Sequence, residues 1–97
     1  MQYNFEWDPR KAEINTKKHD VSFELATEVF LDALQLTVFD SEHSTINEER
    51  WITLGKATNG TLLVVVHTFV EHGTSATIRI VSAREATRRE QYQYEEN

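Results

Sequence analysis

Arg50, Lys56, His67 and Arg79, all in the second half of the chain, are its best candidates for chemistry on an anion. An unperturbed histidine titrates near neutrality and serves as acid or base. An arginine's planar fork grips a phosphate bidentately. Strand register is what would bring them together. With Asn59-Gly60 as a two-residue type I′ turn, Thr58 pairs with Thr61 and Ile52 lies opposite His67. With Glu71 to Ser75 as a loop, Val70 pairs with Ala76 and His67 faces Arg79. One sheet face then carries Arg50, Lys56, His67 and Arg79 among Leu54, Leu63, Val65, Phe69 and Val81. The opposite face, with Trp51, Thr53, Val64, Val66, Ile78 and Ile80, is the expected core side. A slip of one residue in either hairpin would undo this arrangement.

More cations follow in the stretch Arg79-Ile80-Val81-Ser82-Ala83-Arg84-Glu85-Ala86-Thr87-Arg88-Arg89-Glu90. Ser82 with Glu85 reads as a capping box, so a final helix is expected to start there. Arg84 and Arg88 would share one face of it. Arg84 would lie in its first turn, where the helix dipole disfavours a cation, which hints at a role outside the helix. Lys18 and His19 form another basic cluster near the start. The formal net charge is −6, so any site for a polyanion must be local.

The elements that position these residues are legible in outline. Met1, Tyr3, Phe5 and Trp7 alternate with polar residues, as in a half-buried strand. Asp8 is a good N-cap and Pro9 suits the first helical position, predicting a helix over 9–18. Ser22 caps a second helix with a core stripe of Phe23, Ala26, Thr27 and Phe30, widened by Leu25 and Val29. Strands are expected over 36–39, 50–57, 61–70 and 76–81, with a polar loop over 41–49. The order is β-α-α-β-β-β-β-α, an α+β fold with a mainly antiparallel sheet and helices packed on it. At 97 residues the chain is expected to be one domain with a single modest core.

The longest apolar run, Leu62 to Val66, is far too short to span a membrane, and the N-terminus has no secretory pattern. Without cysteine there are no disulfides and no thiolate metal sites, which fits the cytoplasm. His43 and His72 lack metal-site spacing, so neither metal nor cofactor is expected.

The segments Phe5-Glu6-Trp7-Asp8-Pro9, Lys11-Ala12, Asn15, Lys18-His19, Val21-Ser22-Phe23, Val29-Phe30, Glu49-Arg50-Trp51, Leu54-Gly55, Leu62 to Thr68 and Arg79 to Glu90 resemble, in order and spacing, the BrnT family of type II toxins. Two positions depart from it. Asp20 stands where relatives usually have glycine, and Val70-Glu71 where many carry a basic residue. The resemblance implies a RelE-like fold, RNA as substrate, and a BrnA-like ribbon-helix-helix antitoxin as partner, with DNA reached only through that antitoxin. Metal-free RNA cleavage needs a base for the ribose 2′-OH, cations for the pentavalent phosphate and an acid for the leaving 5′-oxygen. Under that implication His67, Arg79, Arg50 and Arg84 are the catalytic candidates, and Lys18, His19, Lys56 and Arg88 the RNA-binding ones. Glu48 or Glu49 becomes a general base if the 41–49 loop folds over the sheet. The competing reading is a non-catalytic module that holds a DNA-binding partner. Bland roles compete residue by residue: His67 as a satisfied core histidine, His19 as a helix end, Arg89 paired with Glu85, Trp7 and Trp51 as core.

Overall fold

The computed structural model describes all residues from Met1 to Asn97. Strand β1 spans Gln2–Glu6. Asp8 then accepts from the Arg10 N–H at 2.9 Å and Pro9 opens helix α1, Pro9–His19. The helix stops at Asp20, whose φ of 57° makes the left-handed end and whose N–H donates to the Thr16 carbonyl. Ser22 accepts from the Leu25 N–H and starts α2, Phe23–Thr27, which tightens into a 3₁₀ turn over Glu28–Leu31. Strands β2 (Leu36–Phe39), β3 (Arg50–Lys56), β4 (Leu62–Thr68), β5 (Val70–His72) and β6 (Ser75–Glu85) follow, and helix α3 (Arg88–Glu96) ends the chain. No helix is long and apolar enough to cross a membrane.

The sheet runs β1-β6-β4-β3-β2, with β5 prolonging β4 along β6. Only the β1–β6 pair is parallel. Its inner face packs under α1, α2 and the 3₁₀ turn, where Phe23, Val29 and Phe30 meet Leu63, Val65 and Ile80. Phe23 and Leu63 have no exposed surface, and burying each stabilises the fold by about 2–3 kcal/mol. The 3₁₀ turn sits close on β3 at Gly55, where an added Cβ would stand 3.0 Å from the Val29 Cβ and 3.1 Å from its carbonyl oxygen.

The outer face carries a smaller cluster of Leu54, Val64 and Ala86, with Leu36, Ile52, Leu62 and Tyr94 against it. Helix α3 lies over this cluster, yet none of its own residues is buried. Polar latches hold it instead. Arg84 makes a two-pronged contact with Glu90, at 2.8 and 3.0 Å, and the Tyr94 hydroxyl donates to Asp32 at 2.6 Å. Its cap is Thr87, reciprocated by Glu90. This corrects the expected start at Ser82: β6 runs on through Glu85, placing Arg84 on a strand, off the Arg88 helix face, and removing the Arg89–Glu85 pairing.

Both hairpins shift the expected strand register by one residue. The first closes through three residues, because Gly60 alone takes positive φ (89°) while its N–H donates to the Ala57 carbonyl. That is a tight turn followed by a left-handed glycine, and it pairs Lys56 with Leu62 and Trp51 with His67. The second is tighter than expected, with Gly73 (φ 62°) and Thr74 between His72 and Ser75. It sets His67 against Ile80. Each slip turns all of β4 over relative to its neighbours. Leu63, Val65 and His67 therefore face the inner core, and Val64 and Val66 face outward. The expected strand over 61–70 also breaks at Phe69, which packs against the inner core.

Strand β6 contains a bulge. Ile80 pairs with His67 and Ser82 with Val66, so Val81 is an extra residue. Past this point β6 has no strand on its free side, since β1 ends at Glu6 opposite Arg79. Asn15 of α1 takes that place. Its amide donates to the Ala83 and Val21 carbonyls at 2.8 and 2.9 Å, and its oxygen accepts from the Ala83 N–H at 3.1 Å.

Candidate functional site

His67 is separated from Arg79 by the sheet. It is 2 % exposed and its ring stands edge-on to Phe30 at 4.9 Å. Its Nδ1 lies 3.0 Å from the Thr68 carbonyl, which only accepts, so Nδ1 carries the proton. Nε2 then accepts from the Thr53 hydroxyl at 2.7 Å, and Thr53 accepts from Thr37 at 2.9 Å. Burial pushes the His67 pKa down, and the bond to the Thr68 carbonyl only partly opposes it. The expected His67–Arg79 pair does not form, and His67 is a neutral, hydrogen-bonded core residue.

The outer face brings two arginines together instead. Arg50 pairs with Thr68 across β3 and β4. The register that joins His67 to Ile80 and Val70 to Thr77 puts Thr68 beside Arg79. Arg50, Thr68 and Arg79 thus form a row on one face, with Glu6 beyond Arg79 at 3.6 Å. The 41–49 loop closes over the end of this row. Glu48 and Glu49 line a cleft of about 380 Å³ together with Thr68, Val70 and Arg79. The Arg50 Nε donates to Glu48 at 3.0 Å. Glu49 has no cation within salt-bridge reach. Of the cations only Arg79 lines the cleft, with Glu48, Glu49 and Glu71 also on its wall. The chemistry available there is one guanidinium for a phosphate, a second on Arg50 bonded to Glu48, and a free carboxylate for a proton.

The other expected site residues lie elsewhere. Arg84 is held by Glu90, and that bond lowers the Glu90 carboxyl to about 2 while raising Arg84. Lys56 stands over the Tyr94 ring at 5.7 Å. Arg88 opens α3. Lys18 and His19 line a separate hollow of about 200 Å³ with Lys11, Asn15 and Ser82. Lys11 was not among the residues expected there, although its spacing of seven from Lys18 puts both on one helical stripe. No group of three or more His, Asp or Glu side chains is placed to hold a metal ion.

The sequence model of a family described as "Ribonuclease toxin, BrnT, of type II toxin-antitoxin system" matches residues 7–90. None of the curated proteins matches the chain. Among solved structures, the chain is similar to the ribonuclease toxin BrnT of Brucella abortus, at 21 % identity and a TM-score of 0.59, over 91 % of this chain and 100 % of that one. At that identity the likeness concerns the fold, and it agrees with the α+β order found here. The family match spans the arginine row, the glutamate loop and the basic end of α1. The chain belongs to the BrnT family of ribonuclease toxins of type II toxin–antitoxin systems.

Proposed function

We propose that this toxin cleaves RNA without a metal, at the outer-face cleft between the arginine row and the 41–49 loop. The observation that carries this is the shared face of Arg50 and Arg79 on either side of Thr68, closed by Glu48 and Glu49. Glu49 takes the ribose 2′-OH proton, and the 2′-oxygen attacks the phosphorus. Arg79 and Arg50 leave their carboxylate partners to hold the equatorial oxygens. Water admitted by the open cleft protonates the departing 5′-oxygen. The products are a 2′,3′-cyclic phosphate and a 5′-hydroxyl.

The experiment is cleavage of RNA in EDTA by the purified protein and by Arg79→Lys and Glu49→Gln. Losing the bidentate fork removes about 2–4 kcal/mol of transition-state stabilisation, or roughly 30- to 1000-fold in rate. The 44 % exposed Arg79 side chain makes a surface pair worth under about 1 kcal/mol to the fold, so Arg79→Lys keeps its melting temperature. Full activity in the folded variant removes Arg79 from the site. Tight partner binding without any cleavage by wild type favours a non-catalytic module.

The partner that fits is a BrnA-like ribbon-helix-helix antitoxin in the cytoplasm, with DNA contacted only through it. Acidic residues on it would cover the arginine row in place of phosphate. Competition between the antitoxin and a cleavage-resistant RNA tests this. Simultaneous binding without mutual loss of affinity refutes occlusion.

A further inference from the structure

We infer that the hollow between α1 and the free edge of β6 is a second phosphate site, one that holds the backbone of a single-stranded RNA beside the cleft through Lys11, Lys18 and His19. This rests on the RNA-cleaving reading for the identity of its ligand. The site is assembled by the fold. Lys11, Asn15 and Lys18 occupy one stripe of α1, and the buried Asn15 pins that stripe to Ala83. Lys11 and Lys18 therefore flank the pinned residue, and His19 and Ser82 complete the lining.

Convergence of three basic side chains without a carboxylate partner distinguishes this hollow, since Arg10, Lys56, Arg88 and Arg89 also lack one but do not line it. The five ion pairs of the molecule engage Lys17, His43, Arg50, Arg79 and Arg84. Lys11, Lys18 and His19 have no carboxylate within 4 Å. The bland reading is that basic residues at the end of α1 complement the helix dipole. It accounts for Lys17, Lys18 and His19. It does not account for Arg10 or Lys11, which sit in the first turn, where no acidic residue is present and the dipole opposes a cation, and of the two only Lys11 lines the hollow.

Position supplies the link to the cleft. Val81 and Ser82 lie two and three residues along β6 from Arg79, about 7–10 Å at strand spacing. Because β1 stops at Glu6, no strand covers this edge. A single strand with one phosphate on the arginine row can pass over the open edge and set a neighbouring phosphate between the two lysines.

The test is binding of a short single-stranded RNA carrying 2′-O-methyl riboses, so that it cannot be cut, across a salt series. Each phosphate neutralised on a single strand contributes about −0.7 to the slope of log K against log salt. Lys11→Gln with Lys18→Gln should flatten the slope by about 1.4 when both lysines neutralise phosphates. Arg10→Gln with Lys17→Gln removes the same charge from the same helix and should leave the slope nearly unchanged. Equal flattening in both double variants assigns the effect to general charge and overturns the site, as does no flattening in either. Inorganic phosphate is titrated in parallel. Saturable phosphate binding lost in Lys11→Gln with Lys18→Gln, without a change in the RNA slope, would make the hollow a free-phosphate site and overturn the proposal. Thermal melts check folding, and His19→Gln supplies a second variant. Wild type that binds RNA with the lysine-dependent slope yet cuts nothing sinks the cleavage reading and leaves this one standing.

Discussion

Replacing Asn15 by alanine should be among the most costly single changes in the chain. The residue is 6 % exposed and makes three hydrogen bonds to main chain, two with Ala83 and one with Val21. The alanine variant leaves three backbone groups without these partners, and each buried unsatisfied group costs about 1–3 kcal/mol. Two effects reduce the total. The Val21 carbonyl keeps a long contact from the Thr16 hydroxyl at 3.4 Å, and the adjoining hollow admits water to part of the rest. The expected loss is about 3 kcal/mol, a large share of the roughly 5–15 kcal/mol typical of a domain. Urea titration should show a lower midpoint with an unchanged slope, and melting should fall by about 12–24 °C. Asn15→Asp sharpens the test. It can still accept from the Ala83 N–H, but it turns a negative oxygen toward two carbonyls, so at pH 7 it should cost at least as much as alanine. A loss below about 1 kcal/mol in Asn15→Ala, or an aspartate variant as stable as wild type, refutes the strand-edge role.

Glu90→Gln should loosen α3. The wild-type carboxyl is lowered from 4.5 to about 2, chiefly by the Arg84 bond; the pair therefore stabilises above pH 4.5 and is lost as pH falls toward 2. Arg84 is 41 % exposed, so screening leaves about 1 kcal/mol, or a 4–8 °C drop in melting temperature at pH 7. A gap between variant and wild type that persists at pH 2 contradicts the mechanism. Burial lowers the His67 pKa, so the unfolded chain binds a proton first as pH falls below about 6.5 and native stability declines there, by at most about 1.4 kcal/mol per pH unit. His67→Gln should lack this component in melts between pH 7 and 5.5, and an identical slope would exclude His67 as its source. Gly55→Ala should destabilise by about 1–3 kcal/mol, because the new methyl forces the 3₁₀ turn off β3; a variant as stable as wild type in urea would mean the turn yields freely.

Local chemistry was readable wherever a side chain and its own backbone settle the outcome. Asp8, Pro9 and Ser22 start helices where their types require, and Asp20 adopts the left-handed end. The sequence did not determine how many residues each hairpin spends in its turn. Asn59 stays at negative φ, and Gly73 permits a two-residue loop where five residues look turn-prone. Those two counts decide the face of His67, since β4 is apolar on both sides and its pattern favours neither. The final helix was misplaced because Ser82-Ala83-Arg84-Glu85 and Thr87-Arg88-Arg89-Glu90 carry the same capping pattern. Pairing of Ala83 and Glu85 with β4 decides between them. The arginine row was half legible: Arg50 and Arg79 were placed on one face, but with His67 between them where Thr68 stands.

The extra residue at Val81 is one that β6 can lose without changing which side chains face outward. Arg79 and Arg84 are five positions apart, a spacing that puts two side chains on opposite faces of a regular strand, yet both point outward here because the bulge reverses the phase between them. Deleting any one residue from 80–82 would restore regular alternation. Arg84, then four positions from Arg79, would still point outward to Glu90, and Ala83 would still face the inner core. Flattening the bulge at full length is the change that would turn Arg84 into the inner core and away from Glu90. Among related chains the interval from Arg79 to Arg84 should therefore be five residues with the bulge or four without it, since both keep the two arginines outward.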